Sequence, residues 1–285
     1  MPTQSQSPSI HASAIIASGA KIHEAAEIGP YAVIGENVTI GAGTKVGAHA
    51  IIDGITTIGE NCKIYPGASI GLEPQDLRYK DEPTGVILGN NVTIREYVTI
   101  HRATNEGFTE VGDDCFLMNY VHIAHNCKLG KGVIMANNTQ LAGHVHVGDN
   151  SVFSGFCILH QNVRIGRFVM MGGMTGARVD LPPFTICDGR PAFVRGINVI
   201  GLRRGKMPPD VRNAIKATYK LIYRSELNLT NAIARIEEEI EPHAEVKEIV
   251  EFFKTSKRGY ASAFGVSTEG RHEASVMEDI PMDEI

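Results

Sequence analysis

From Val111 to Met171 a large apolar residue returns at every sixth position without a miss: Val111, Leu117, Ile123, Leu129, Met135, Leu141, Val147, Phe153, Leu159, Ile165 and Met171. The first part of the chain keeps the same step, from Ile10, Ile16 and Ile22 through Ile28, Ile34, Ile40, Val46, Ile52, Ile58 and Ile64 to Ile70. A period of six matches neither the 3.6-residue repeat of a helix nor the two-residue alternation of a half-buried strand. It predicts a mainly β fold, a parallel β-helix wound as triangular coils of three six-residue turns, so that residues eighteen apart stack one above another. Gly follows the apolar residue in many turns (Gly29, Gly35, Gly41, Gly47, Gly59, Gly71), which reads as a tight bend between short strands.

Two stretches break the rhythm. Leu72 to Gly85 is rich in Pro and charge, and a shorter irregular piece around Asn105 and Gly107 separates Ile100 from Val111. Keeping three turns per coil through both breaks puts Ile70, Ile100, Ile123, Leu141 and Leu159 in one column, with both loops leaving the prism on that side. This column carries His101, His125, His144, His146 and His160. Adjacent coils are roughly 4.8 Å apart, so imidazoles distant in sequence converge on one small molecule.

Past Met171 the pattern loosens through Gly172, Gly173, Gly176 and Pro182-Pro183 into a Gly- and Arg-containing connection that runs to Lys206. Pro208 and Pro209 open a helical stretch with Val211, Ile215, Ala217 or Thr218, and Ile222 at helical spacing, and further helix is predicted over 230–241 and 244–257. A helical cap would cover the last coil, which otherwise exposes sheet edges and core side chains. The expected organisation is a disordered leader over 1–9, a β-helix over 10–200 with loops at 72–85 and 101–110, an α-helical C-terminal domain over 201–260 and a disordered acidic tail over 261–285.

Composition narrows the class. A 285-residue chain with 43% hydrophobic residues and a formal net charge of −5 fits a soluble protein of one large domain and a smaller one. No basic run interleaved with aromatics points to nucleic acid. Met1 to Ser9 lacks the features of a secretory signal, and no apolar run approaches a membrane span, so a cytoplasmic location is expected. Cys62, Cys115, Cys127 and Cys157 all fall four places after an apolar position, where other turns have Ala14, Ala20 and Ala26. They read as small buried corner residues rather than disulfide or metal cysteines, while Cys187 lies outside the clean repeat.

Imidazole titrates near neutrality and accepts a proton from a hydroxyl, so His125, at the centre of the column, is the candidate general base. The same cluster suits zinc with an open fourth position, and a β-helix of this repeat type resembles the γ-class carbonic anhydrases as well as acyltransferases. His23 and His49 fall on other phases, and no role is assigned to His11 or His243. Arg195, Arg203 and Arg204 form a basic cluster that either binds a diphosphate or solvates the connection to the cap.

More specific segments carry a family resemblance: Gln75-Asp76-Leu77, Ile100-His101-Arg102, Ile123-Ala124-His125, Leu141-Ala142-Gly143-His144-Val145, His160-Gln161, Gly172-Gly173, Gly196-Ile197-Asn198, Gly201-Leu202-Arg203-Arg204 and the helical segment from Tyr219 to Ser225. From about Ile10 to Gly259 the chain resembles the UDP-N-acetylglucosamine 3-O-acyltransferases, which perform the first acylation of lipid A (lipopolysaccharide) biosynthesis. The resemblance implies a left-handed β-helix and a homotrimer with sites in the clefts between subunits. There His125 takes the proton of the sugar 3-hydroxyl as it attacks the thioester of a (3R)-hydroxyacyl group on the phosphopantetheine of acyl carrier protein. No other cofactor and no metal is implied. The Gly143 N–H would hold the oxyanion. Gln75 and Asp76 would contact sugar or acyl chain from a neighbouring subunit; Arg78, His101, His122, His144, His160 and Gln161 would bind substrate; Asn198, Arg203 and Arg204 would meet the nucleotide. Gly173 lies where the family sets acyl length, and its missing side chain leaves the groove open for a long chain.

Three positions depart from the family pattern. Asn126 stands where better known members have Asp; an amide holds a tautomer but cannot stabilise imidazolium by charge. Arg78 replaces Lys, and Ile200 replaces an acidic residue near the nucleotide. The related UDP-3-acyl-glucosamine N-acyltransferases share Ile-Ala-His-Asn at residues 123–126 but carry a uridine-binding domain before the helix, for which a repeat beginning at Ile10 leaves no room. A zinc-dependent carbonic anhydrase-like protein and a noncatalytic scaffold are the alternatives from other classes.

Overall fold

Most six-residue turns become a two-residue strand followed by a four-residue corner, as at His122–Ile123, Lys128–Leu129 and Ile134–Met135. Two side chains per turn point inward: the apolar residue of the strand, such as Ile123, and a small residue four places on, such as Cys127, both 0% exposed. Residues 8–264 are described by the computed structural model. Its strands stack as three sheets of 11, 9 and 8 strands, one per face of a left-handed β-helix, all parallel except the last strand of the first sheet, Phe193–Ile197, which pairs antiparallel with Thr185–Asp188. The hand opposes the usual crossover preference.

The apolar column runs as predicted through Ile70, Ile100, Ile123 and Leu141 to Leu159 in the second sheet. The pairing step is eighteen residues except across the two loops, where Lys63 pairs with Thr93 and Thr93 with Phe116, and at the last coil, where Met170 pairs with Ile186. Both loops leave at the corner between the second and third sheets. The five cysteines are buried and free, and burial pushes the thiols of Cys127 and Cys187 up to about 12, which keeps them protonated.

Of the glycines after the apolar residue, Gly71 has the left-handed backbone of a tight bend, with φ of 79°, and Gly29, Gly35, Gly41, Gly47 and Gly59 do not. The left-handed backbone sits two places further on, at Asn61, Asn126, Asn138 and Asn162 with φ of 54, 57, 61 and 62°. Asn tolerates this region better than most residues. Gly41 is required because a Cβ there would lie 2.6 Å from the Gly59 carbonyl oxygen of the next coil.

Four helices follow among the described residues: α1 (Val199–Arg204), α2 (Pro209–Arg224), α3 (Leu229–Glu239) and α4 (Ala244–Thr255). α1 lies in the stretch expected as a Gly- and Arg-containing connection and begins two residues before the helical domain expected from 201, where Asn198 caps it by accepting the Gly201 N–H. Pro209 opens α2, whose Val211, Ile215, Thr218 and Ile222 are buried. The cap has its own apolar cluster, centred on Phe184, Leu202, Ile215, Ile236 and Ile249. Asp180, 1% exposed, joins the two parts by accepting the Arg164 N–H and the Ser256 hydroxyl. Residues 261–264, expected in the tail, instead return to the β-helix: Val194 bridges Ala263, and Ala261 is 1% exposed. Ser9, expected in the leader, pairs with Glu27. The rest of the leader and tail, 1–7 and 265–285, lies outside the described residues. Among the described residues no helix is long and apolar enough to cross a membrane.

Candidate active site

The corner between the second and third sheets gathers His125 and Asn126 from one coil, Gly143 and His144 from the next, and Gln161 from the one above. The loop after Leu72 brings Asp76, which follows Gln75 and is held by Arg78, to it, and the loop after His101 brings Thr104 and Glu106.

His125 is held by its neighbour. Its Nδ1 lies 2.9 Å from Asn126 Oδ1. The Asn126 amide has one orientation, because Oδ1 accepts the Thr104 N–H at 2.9 Å and Nδ2 donates to the Glu106 carbonyl at 3.1 Å. Both partners are backbone groups with fixed roles, so Oδ1 must also accept from His125. The neutral imidazole therefore carries its proton on Nδ1, and Nε2 presents the lone pair. The second loop, through two backbone groups, thus decides which nitrogen carries the lone pair.

Asp76 Oδ2 sits 3.6 Å from that Nε2, and its side chain is 8% exposed. The resemblance implies that Asp76 arrives from a neighbouring subunit; here it meets the His125 of its own chain. Arg78 donates to it through backbone N, Nε and Nη2 at 3.0 to 3.1 Å. These bonds, with a smaller contribution from His125, hold the carboxyl down at about 2.

Gly143 lies one coil above His125, with no room for a Cβ against the His125 Cε1 and Nε2. Its N–H donates to no acceptor among the described residues. That leaves a donor with no acceptor among the described residues close to the His125 lone pair, an arrangement that could serve acyl transfer.

The remaining histidines crowd the same place. His144 meets the His125 ring edge-on at 5.1 Å, and His101 meets His122 at 4.9 Å. Burial first, then the neighbouring His122 and His125, pull His101 down to about 4, so it is neutral at pH 7. Its buried Nδ1 has no protein partner among the described residues. Burial lowers His122 and His144 as well. His122 Nδ1 lies 2.7 Å from the Thr99 hydroxyl, and His160 Nδ1 lies 3.3 Å from Arg258 Nη2. Among the described residues no group of three or more His, Cys, Asp or Glu side chains is arranged to hold a metal ion.

Not every expected residue reaches this corner. His146 stands on a strand of the third sheet, between Lys128 and Arg164, because it is one of the two strand residues of its turn rather than a corner residue. Asn198, Arg203 and Arg204 lie at the corner between the third and first sheets, where Asn198 Nδ2 donates to the Phe168 carbonyl. Gly173 is exposed on the third corner, between the first and second sheets; a Cβ there would meet Gly155 O at an ordinary 3.7 Å. Thr104, Glu106 and Arg258 were not legible as site residues. Their contributions are backbone groups in an irregular loop, or a side chain returning from beyond α4, and no spacing marks either.

The profile of the second domain of UDP N-acetylglucosamine O-acyltransferase matches residues 180–261, and that of bacterial transferase hexapeptide repeats matches 19–54 and 108–143. The chain is 48% identical over 252 residues to an acyl-[acyl-carrier-protein]–UDP-N-acetylglucosamine O-acyltransferase of Thermodesulfovibrio yellowstonii, covering 88% of this chain and 98% of that protein. The UDP-N-acetylglucosamine acyltransferase of Campylobacter jejuni superposes with a TM-score of 0.84 at 36% identity, over 89% of this chain and 99% of that one. That of Francisella novicida gives 0.87 at 34% identity, over 95% and 100%.

Proposed function

The chain belongs to the acyl-[acyl-carrier-protein]–UDP-N-acetylglucosamine O-acyltransferase family, and we propose that it performs this transfer with His125 as general base, moving a (3R)-hydroxyacyl chain to the sugar 3-hydroxyl. The observation that supports this assignment is the state of the His125 ring: Asn126 occupies Nδ1, leaving the Nε2 lone pair against Gly143, whose N–H has no acceptor among the described residues.

The steps follow from that arrangement. The hydroxyl proton passes to Nε2 while the oxygen bonds to the thioester carbonyl carbon, and the carbonyl oxygen takes up negative charge. The Gly143 N–H donates to that oxygen. Collapse breaks the C–S bond, and the imidazolium returns its proton to the leaving thiolate of phosphopantetheine. Asp76, His101, His122 and His144 surround His125, and with Gln75, Arg78, His160 and Gln161 they would hold the sugar and acyl chain. The unpartnered Nδ1 of His101 is a buried group that a substrate hydroxyl would satisfy.

The separation of the residues supports a homotrimer. One face of the prism is a six-residue turn, at most roughly 20 Å, and Asn198, Arg203, Arg204 and Gly173 occupy corners other than that of His125. A nucleotide and an acyl chain bound at one His125 would therefore draw these residues from neighbouring copies. Within this proposal the acyl carrier protein is the donor partner, no metal takes part, and the reaction opens lipid A biosynthesis in the cytoplasm.

The test is His125→Ala in the full-length protein with UDP-N-acetylglucosamine and hydroxyacyl carrier proteins. Loss of a general base lowers kcat by about 10² to 10⁴, with the oligomer and thermal midpoint retained and no effect of chelators on the parent enzyme. Near-normal turnover in a folded variant would move the base to His144 or His160.

A further inference from the structure

A carboxylate on the Nδ1 side of a catalytic histidine does two things at once: it fixes the tautomer and offsets the charge of the imidazolium. Asn126 is an amide and does only the first. Its oxygen is committed to the Thr104 N–H and to His125, its nitrogen to the Glu106 carbonyl, and it carries no charge. The positive charge that appears on His125 when it accepts the substrate proton must be offset from elsewhere.

Among the described residues, the groups facing His125 are few. From its own coil come Asn126 and His122, from the coil above Gly143 and His144, from the coil below His101, and from the first loop Asp76 with Arg78. The histidines are held towards the neutral form, and Arg78 has the wrong sign. Asp76 is the carboxylate of this set, and it lies on the Nε2 side. Oδ1 accepts two Arg78 donors and Oδ2 accepts a third, which leaves Oδ2 oriented at 3.6 Å from Nε2 before any substrate arrives.

We propose that Asp76 is the counter-charge of His125 in the transfer step, so that the work of one carboxylate is divided between Asn126 at Nδ1 and Asp76 at Nε2. This rests on His125 being the base. The hydroxyl proton still goes to Nε2, and the new N–H⁺ faces the Asp76 carboxylate; no proton passes to Asp76, which Arg78 keeps ionised. Asp76 acts through His125, because a negative charge close to a forming imidazolium in a partly buried site lowers the energy of that state more than of the neutral ground state.

The experiment compares Asp76→Asn, Asp76→Glu, Asp76→Asn with Asn126→Asp, and Asp76→Asn with Arg78→Gln, each checked for parent-like oligomer size and thermal midpoint. Asp76→Asn should lower kcat about 10- to 100-fold while KM for UDP-N-acetylglucosamine moves less than about 3-fold, because a transition-state charge is lost rather than a ground-state contact. Asp76→Glu keeps the charge and should keep most of kcat, which preserves the test if the Asn variant folds poorly. Adding Asn126→Asp to Asp76→Asn should recover at least about 10-fold by supplying a carboxylate at Nδ1. A rise in KM with kcat intact would reduce Asp76 to a substrate contact and overturn the proposal. So would failure of Asn126→Asp to recover activity, or equal recovery by Arg78→Gln, which would trace the loss to a freed guanidinium. If His125→Ala is inactive while Asp76→Asn is harmless, this inference alone falls; if His125→Ala is active, the base assignment falls first.

Discussion

Gly143→Ala isolates the contact on which the proposed chemistry depends. A Cβ built on Gly143 falls well inside contact distance of His125 Cε1 and Nε2, and 3.1 Å from Cδ2. Ordinary carbon contacts begin near about 3.5 Å, so the ring must shift by about 1 Å or tilt off its Asn126 bond. A misplacement of about 1 Å costs roughly 100-fold in rate, equivalent to about 2.7 kcal/mol of barrier. The fold should tolerate the change. Gly143 is not in the left-handed region, and a Gly→Ala change at a compatible position stabilises by about 0.4–1 kcal/mol through the unfolded chain, which offsets part of the strain on the ring. Gly155 has the same place in its turn, and there a Cβ meets only Asn137 O at 3.4 Å; Gly155→Ala sets the stability baseline. The assay is initial-rate acyl transfer from a hydroxyacyl carrier protein to UDP-N-acetylglucosamine, with thermal unfolding of both variants in parallel. The expected outcome is a kcat about 100-fold down for Gly143→Ala, with a melting temperature close to that of Gly155→Ala. Turnover within about 3-fold of the parent would refute the steric argument, and a large fall in melting temperature would show that the methyl disturbs the coil rather than the ring.

Other outcomes test the remaining parts of the site. Gly173→Met fills an exposed corner position without a backbone clash, and should shorten the preferred acyl chain by several carbons while leaving affinity for the sugar nucleotide nearly unchanged; an unchanged chain-length profile removes it from that role. His101 is held at about 4 in the folded state, below its ordinary value of about 6.5, so the unfolded chain binds a proton that the folded chain refuses. The contribution of neutral His101 is then full above about pH 6.5 and is lost as pH falls towards 4, by up to about 1–3 kcal/mol. Melting curves should show that slope in the parent and a shallower one in His101→Gln. Light scattering at micromolar concentration should give a trimer, and a fully active monomer would remove the shared-site arrangement.

The six-residue step from Val111 to Met171 was enough to predict the coils, the inward pairs of side chains and the column from Ile70 to Leu159, because a strict repeat makes every residue eighteen apart a neighbour. Even the loops could be assigned to the histidine side by counting turns. What a period cannot encode is the direction of a backbone group in an irregular segment. Thr104 N–H and Glu106 C=O, which orient Asn126 and through it His125, were therefore invisible, as was the return of residues 261–264 to the β-helix. Apart from Gly71, the glycines after an apolar residue were legible as special but not for the right reason: spacing along a chain cannot distinguish a bend in one coil from the approach of the next. His146 went to the wrong face for a similar reason, since one residue of phase separates a strand position from a corner. Asp76 shows the division most clearly. The sequence marks it as a polar residue in a loop near the site, whereas its 3.6 Å approach to His125 and its pairing with Arg78 depend on how twelve irregular residues fold back, which only the tertiary structure decides.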